Sequence, residues 1–588
     1  MPTHRKASAL LLLPCLAAQA PSLVPAGTIN AAFANKTVVV LTDDDPTVVR
    51  FVTAIRDRFF RGSEIVAGAA GAGADLRGKS AIVYATPDHP WFAAHAASLP
   101  FVLTAGAATI AGQEFTGEHL RVIAALKNPV DGAQRVVLYA TAKPADLVEI
   151  NRVFHGPTEW VVADGATVLA SGSFAAAKLS PDAMRQDLDQ LVAAIADVHP
   201  AAVDGLPEPV RQAAERARGS IAEPLDRADF AHHCGRVLLA LHDAHSSVAL
   251  PRSGTTLQLP FVWLDEGLVV TAATDDLQPG DRMLAIAGRD PDELLGILRE
   301  HVPAETPNWL RAQAPHLLTD LGLLALFGLA TEPPVAVRVA RGQGADAVER
   351  VVAVGAGPLP RAAAAAPWVR FSIDAEHSLG VLTLDRCVVD DTYRDTLDDF
   401  FTAVHDQKIG KVAVDVRANS GGNSAVVDEF LRYVDVEAYD SFSGDVRWSA
   451  AALQQREAPG APRFEPALPV RRKNVRRSEP PPFAGQLFVL IGPATFSSGN
   501  WFAVIVHDNR LGTLVGEATG NAPSSYGDIL RLSLSNSALE YTLSFKRWVR
   551  PDPTRDPAPC LEPDVHVPRT AATVVGGSDP VLEWLRQR

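Results

Sequence analysis

The chain has 588 residues, 47% of them hydrophobic and 21% charged, which predicts several folded domains and excludes an intrinsically disordered chain. Its formal net charge is −14. Because binders of nucleic acids and anionic membranes depend on clustered Lys and Arg, this charge argues against both classes of partner.

The first twenty residues are typical of a signal peptide. Basic residues at positions 4–6 precede the apolar stretch 8–20, which ends in an Ala-x-Ala-like cleavage site. This apolar stretch is too short to span a membrane. We therefore expect cleavage near Ala20, export to the periplasm or the medium, and a mature chain without a membrane span.

Four segments follow the signal peptide. Residues 30–175 alternate β-branched runs with helical periodicity, which predicts an α/β domain whose sequence names no chemistry. Residues 181–250 predict a helical subdomain, with a last helix over 228–248. Residues 251–355 predict short strands and a connecting helical run. Residues 365–575 predict an α/β core, and the fold class is therefore α/β multidomain.

Two strand–loop–helix units lie in the predicted core. They read 411-KVAVDVRANSGGNSAVVDEFLRYV-434 and 487-LFVLIGPATFSSGNWFAVIVHD-508. Loops of small residues that open a helix aim backbone N–H groups at one point, where the helix dipole adds positive potential. On neighbouring strands, one loop could hold a nucleophile and the other could supply oxyanion donors. Ser497 and Ser498 could equally be helix caps.

A serine nucleophile needs a base, and histidine is suited to that role. The best placed histidine is His245, in the segment 241-LHDAHSSV-248. His242 and His245 could also form a metal pair at i,i+3 spacing, although no Glu lies between them and no matching ligand cluster is evident in the sequence. Spacing alone leaves a Ser/His hydrolase, a metal site and a purely structural role open.

Four motifs together resemble the tail-specific, or C-terminal-processing, serine protease family. They are DAHSSV, DVRANSGGN, TFSSGNWFAVIVHDNRLGTLVGEATG and the PDZ-like segment 278-QPGDRMLAIAGRDPDEL-294. The histidine motif is similar to that of the branch that includes the tricorn protease core. The resemblance covers about residues 181–570. It implies a ClpP/crotonase-like α/β protease core with a helical N-terminal subdomain and a short PDZ-like segment, preceded here by an extra α/β domain.

The resemblance also implies a role for individual residues. Ser497 matches the nucleophile and His245 the general base. The oxyanion hole would use the backbone of Ser498 and of Gly421, with Gly422 beside it. The family's other branch uses a lysine, and residues 517–528 contain none. An acid near the C-terminus should orient the histidine: Asp556 matches that position, and Glu562 is its rival.

The function that follows is an exported serine peptidase acting on peptides or proteins without a metal or organic cofactor. Two alternatives remain from the sequence: a catalytically inactive peptide- or ligand-binding protein on the same fold, and an esterase. The esterase is disfavoured because no G-x-S-x-G elbow surrounds Ser497. The sequence gives no oligomeric state.

Overall fold

The computed structural model describes residues 27–32, 38–153, 158–174, 178–250, 252–253, 255–330, 332–342, 347–358, 366–467, 471–477, 481–555 and 559–588. The chain divides into two compact units, residues 1–175 and 176–588. The predicted signal peptide, residues 1–20, lies outside the described residues. None of the helices described is both long enough and apolar enough to cross a membrane.

The first unit is built on a seven-stranded mixed sheet in the order β10-β9-β7-β8-β3-β1-β2, in which β8, β3, β1 and β2 are parallel. Every residue of β1 and β3 is buried, because side chains pack on both faces of the sheet. A meander of β4, β5 and β6 is separate. The strands are β1 (Val38–Thr42), β2 (Glu64–Ala67), β3 (Ser80–Ala85), β4 (Phe101–Thr104), β5 (Ala107–Ile110), β6 (Gln113–Thr116), β7 (Leu120–Asn128), β8 (Asp131–Thr141), β9 (Trp160–Asp164) and β10 (Thr167–Gly172); the helices are α1 (Ile29–Ala32), α2 (Pro46–Phe59), α3 (Pro90–His95) and α4 (Pro144–Leu147).

The second unit begins with three helices, α5 (Pro181–Val198), α6 (Glu208–Ser220) and α7 (Arg227–Leu239). The sequence predicted that the last of them continues to residue 248, and that prediction was wrong. His242 has a positive φ of 51°, which interrupts the helix. The Asp243 carboxylate then accepts the backbone N–H of His245 at 2.9 Å, which closes a tight turn instead of a helical one.

An antiparallel sheet of five strands follows, in the order β12-β13-β14-β15-β16, and β11 pairs separately with β17. Three helices pack with these strands around one apolar core. The strands are β11 (Thr255–Leu257), β12 (Phe261–Leu264), β13 (Gly267–Val270), β14 (Arg282–Ile286), β15 (Val335–Arg341), β16 (Val348–Val354) and β17 (Ala356–Pro358); the helices are α8 (Pro291–His301), α9 (Pro307–Leu317) and α10 (Leu321–Leu326).

The last part contains a six-stranded sheet in the order β18-β19-β20-β25-β26-β29, parallel except for β18. A four-stranded sheet, β23-β22-β28-β27, and the pair β21-β24 complete it. The strands are β18 (Val369–Asp374), β19 (Leu379–Leu384), β20 (Lys411–Asp415), β21 (Ala438–Ser441), β22 (Ser443–Trp448), β23 (Arg463–Glu465), β24 (Arg471–Asn474), β25 (Gln486–Ile491), β26 (Thr513–Gly516), β27 (Ser525–Ser533), β28 (Glu540–Val549) and β29 (Val565–His566); the helices are α11 (Asp391–Asp406), α12 (Val426–Leu431), α13 (Ala450–Gln455), α14 (Ser498–Asp508), α15 (Ala571–Gly576) and α16 (Pro580–Arg586).

The two strands singled out in the sequence, β20 and β25, are adjacent and parallel, with Asp415 opposite Leu490. Both loops therefore leave the same edge of the sheet, where ligands of open α/β sheets bind. The apolar cores on the two faces of this sheet hold the strands in place. The predicted α/β multidomain fold is confirmed.

Candidate active site

Ser497 lies in a strained turn between β25 and α14. Its φ of 50° and ψ of −124° are rare for a residue other than glycine, and strain of this kind clusters at functional sites. The Ser497 side chain makes no capping hydrogen bond to the helix. Ser498 begins α14 and donates its hydroxyl to the carbonyl oxygen of Gly422 at 2.8 Å. The capping alternative for Ser497 is thus not what the structure shows.

The glycine loop after β20 lies directly against Ser497. Gly421 has φ +113°, and a Cβ atom added there would lie 2.6 Å from the Cβ of Ser497. The Gly421 N–H, predicted as an oxyanion donor, instead donates to the side-chain oxygen of Asn419 at 2.8 Å. Asn419 is fully buried, and its backbone carbonyl accepts the N–H of Phe496 at 2.9 Å. It therefore ties the glycine loop to the serine turn.

Gly422 lies against the backbone of Cys387, whose carbonyl oxygen would be 2.1 Å from an added Cβ. Within the described part of the chain, the N–H groups of Gly422 and Ser498 have no acceptor. Free backbone donors next to a serine at a helix N-terminus are the arrangement that stabilises an oxyanion. The arrangement favours Gly422 and Ser498 as the donor pair and leaves Gly421 as the residue that makes room for Ser497.

His245 lies in the loop between α7 and β11, with only 11% of its side chain exposed. Its ring packs on Phe496 with the centroids 4.6 Å apart, and neither ring nitrogen has a hydrogen-bond partner among the described residues. Nδ1 is 3.8 Å from Oδ1 of Asp243. Burial lowers the pKa of His245, although the charge of Asp243 opposes that shift. The imidazole is therefore neutral near neutral pH and able to accept a proton.

Asp243 is the buried acid nearest to this ring. Its carboxylate accepts a hydrogen bond from Nε2 of His199 at 3.2 Å and another from the Ser246 hydroxyl. Burial alone would raise the pKa of Asp243, but the hydrogen bond of His199 and the adjacent His245 hold it at about 2. Asp243 is thus a permanent carboxylate behind His245.

The structure does not test the acid predicted from the sequence. Asp556 lies outside the described residues. Its rival Glu562 is exposed and accepts a hydrogen bond from the thiol of Cys560. The sequence analysis missed Glu305, which precedes α9 and whose carboxylate accepts the N–H of Ala522 at 2.9 Å. No local motif marks Glu305, because it lies in a connecting loop far along the chain from the serine turn.

Asp243, His245 and Glu305 lie close together among the described residues. One polar atom from each side chain lies within 4.8 Å of those of the other two. Such distances would admit a cation. No cation is needed to explain the charge of Asp243, because hydrogen bonds from His199 and Ser246 stabilise it. The same three side chains can instead interact by sharing protons.

A cavity of about 370 Å³ joins these elements, and both Ser497 and His245 line it. Its other walls come from the glycine loop, from residues 521–528 and from Phe442 and Trp548. Nε2 of His245 faces this side, since a Cβ added to Gly527 would lie 3.9 Å from it. The cavity thus brings together Ser497, His245, Ser498 and Gly422, whereas the predicted donor Gly421 is not among its lining residues.

Part of the chain matches a known protein family. Residues 378–567 match the model of peptidase family S41. The structure is similar to that of mature CPAF complexed with lactacystin, with a TM-score of 0.52 and 13% identity over 69% of this chain and 97% of that one. This similarity supports the fold.

Two further solved structures are similar to this chain. The photosystem II D1 C-terminal processing protease has a TM-score of 0.37 and 15% identity over 68% of this chain and 98% of its own. A putative peptidase from Parabacteroides merdae ATCC 43184 has a TM-score of 0.38 and 14% identity over 69% and 95%. A search of curated proteins finds no match. The resemblance inferred from the motifs is confirmed for residues 378–567, which match a family of serine-type peptidases.

Proposed function

We propose that the chain cleaves peptide bonds with Ser497 as nucleophile and His245 as general base, as in the histidine-using branch of the family. The observation that carries this proposal is the cavity lined by Ser497 and His245, next to the N–H groups of Ser498 and Gly422, which have no acceptor among the described residues. A peptide or protein is the substrate class that the family implies.

The reaction follows from this arrangement. Ser497 Oγ attacks the peptide carbonyl carbon, and Nε2 of His245 accepts the hydroxyl proton. The carbonyl oxygen becomes an oxyanion that accepts hydrogen bonds from the N–H groups of Ser498 and Gly422. The imidazolium then protonates the leaving amine. Water, deprotonated by the same nitrogen, hydrolyses the acyl-enzyme and regenerates Ser497.

In the structure His245 is not yet hydrogen-bonded to Ser497. Catalytic hydrogen bonds are often long without substrate and shorten when substrate binds. The negative charge behind the ring comes from Asp243, which stabilises the imidazolium formed in the first step. Asp556 stays a proposed second acid at this site.

Degradation of unfolded casein tests this function. We expect Ser497→Ala to lower the rate on the order of a million-fold, as loss of a catalytic serine does. Ser578→Ala, at an exposed position outside the cavity, is the matched control and should keep the wild-type rate. Equal activity of wild type and Ser497→Ala would exclude Ser497 as the nucleophile. A folded wild type without turnover would favour the binding-protein alternative.

We also propose that the chain is exported after cleavage near Ala20. The support is the basic and apolar pattern of residues 4–20. N-terminal sequencing of the protein from the periplasm or the medium tests it, and a mature chain that still begins at Met1 would contradict it. The division into segments 181–250, 251–355 and 365–575, with a PDZ-like piece in the second, is likewise a proposal.

A further inference from the structure

Glu305 is connected to the nucleophile turn through one of its carboxyl oxygens. Oε2 accepts the backbone N–H of Ala522 at 2.9 Å and the side-chain amide of Asn521. The side-chain oxygen of that same Asn521 accepts the N–H of Ser497 at 2.9 Å. One carboxyl group is thus linked through a single amide to the backbone of the serine.

The carboxyl group of Glu305 also lies near the base. Oε1 is buried and has no hydrogen-bond partner among the described residues. A carboxyl oxygen of Glu305 lies within 4.8 Å of an oxygen of Asp243 and of a ring nitrogen of His245. The carboxyl group of Glu305 therefore lies between the loop that carries the base and the turn that carries the nucleophile.

The carboxyl groups of Glu305 and Asp243 have very different pKa values. Burial raises the pKa of Glu305 to about 8, with the charge of Asp243 adding to the increase against the opposing N–H of Ala522. The pKa of Asp243 is about 2. Adjacent carboxyl groups with pKa values so far apart share one negative charge at neutral pH. That single charge on Asp243 matches the single positive charge that His245 acquires during the reaction.

We propose, on the basis of the proposed peptidase function, that Glu305 is a positioning residue whose protonated carboxyl holds the Ser497 turn and the His245 loop in register. Its Oε2 accepts hydrogen bonds from Asn521 and Ala522, and its carboxyl group lies within 4.8 Å of Asp243 and His245 in the loop that carries the base. The proton of Glu305 stays in place during the reaction. The proton that moves is the one shared by Ser497 Oγ and His245 Nε2.

Charged and titratable side chains surround Glu305 on two sides. On the side of the catalytic cavity they are Asp243, His245 and Tyr526. On the other side, Glu305 lines a second cavity of about 530 Å³. The charged or titratable residues of that cavity are Arg216, Arg236, His242, Arg299 and Glu300. Above pH 8 the ionised Glu305 repels the Asp243 carboxylate, so the two loops are no longer held in register and activity should fall.

Three variants test the proposal through kcat and KM measured across neutral and alkaline pH. Glu305→Gln keeps one acceptor and gains a donor, so it imitates the protonated acid. We expect it to keep most of the activity at neutral pH and to lose the alkaline decline near pH 8. Glu305→Ala should lower kcat about a hundredfold with little change in KM, because the catalytic groups are misplaced. Glu300→Gln, whose side chain is 67% exposed in the second cavity, should match wild type.

Two results would overturn the proposal. One is an alkaline limb in Glu305→Gln identical to that of wild type, and the other is a Glu305→Gln as inactive at neutral pH as Glu305→Ala. Infrared difference spectra of wild type minus Glu305→Gln add a measurement that needs no turnover. A protonated carboxyl band that titrates near pH 8 supports the proposal, and its absence contradicts it. If wild type cleaves nothing while this band is present, the peptidase assignment fails and the protonated Glu305 stands.

Discussion

The side-chain oxygen of Asn521 accepts the backbone N–H of Ser497 at 2.9 Å. Asn521 is buried, and its backbone carbonyl accepts the side-chain amide of Asn500 at 3.1 Å. These bonds hold Ser497 at a φ of 50°, which the serine would not adopt without support. The geometry of the proposed nucleophile is therefore set by a residue on the loop that follows β26.

Asn521→Ala should weaken both stability and catalysis. The substitution leaves the N–H of Ser497 without its acceptor, and an unsatisfied buried group costs about 1–3 kcal/mol. We expect the free energy of unfolding in urea to fall by that amount and kcat to fall about a hundredfold, since the nucleophile is misplaced. Asn474→Ala, at an exposed position of β24, is the control and should change neither quantity. Unchanged kcat in Asn521→Ala would refute this role.

Gly421→Ala should abolish peptidase activity, because the added methyl group would collide with Ser497. The new Cβ would lie 2.6 Å from the Cβ of Ser497. Gly267→Ala is a matched control, because Gly267 has a similar φ of +118° and no atom within 4 Å of an added Cβ. Both variants should lose about 1–3 kcal/mol of stability from backbone strain. Only Gly421→Ala should lose peptidase activity; equal losses in the two variants would exclude the proposed contact.

The acid limb of kcat/KM should lie below pH 6.5, the ordinary pKa of histidine. Burial lowers the pKa of His245, with the charge of Asp243 opposing. The neutral base is therefore present above its depressed pKa and is lost only as the pH falls through that lower value. Measurement of kcat/KM against pH checks the sign, with exposed His405→Gln as a control that should leave the limb in place. A limb above pH 6.5 would contradict the burial argument.

The stability of the protein should depend on a buried ion pair at the end of α14. Arg550 and Asp508 have side chains only 2% and 0% exposed, and two hydrogen bonds of 3.0 and 2.6 Å join them. Arg550→Ala leaves the buried carboxylate of Asp508 without this partner and should cost about 3–5 kcal/mol in urea unfolding. The exposed pair of Arg472 and Asp440 gives the comparison, since Arg472→Ala should cost about 1 kcal/mol or less. Similar costs for the two variants would contradict the prediction.

The sequence predicted the elements whose signals are local. The apolar strands β20 and β25 and their small-residue loops were readable from consecutive residues, and the structure places them side by side. The end of α7 was not readable, because the positive φ of His242 and the Asp243 turn interrupt a segment whose composition suits a helix.

The network around the site was invisible in the sequence because its members come from distant segments. Glu305 and Asn521 approach each other only when the loop before α9 packs on the loop after β26. The proposal of Gly422 in place of Gly421 as oxyanion donor has the same origin, since the buried side chain of Asn419 accepts the N–H of Gly421. A motif indicates which residue types are present and not which N–H group stays free.

The most direct measurement of the proposed mechanism is labelling of the purified protein with a fluorophosphonate probe, with the modified residue mapped by mass spectrometry. Wild type should be labelled at Ser497. Labelling should be absent in Ser497→Ala and strongly reduced in His245→Ala, while circular dichroism shows both variants folded. Labelling of a residue other than Ser497, or labelling of His245→Ala at the wild-type rate, would contradict the assignment of Ser497 as nucleophile and His245 as its base.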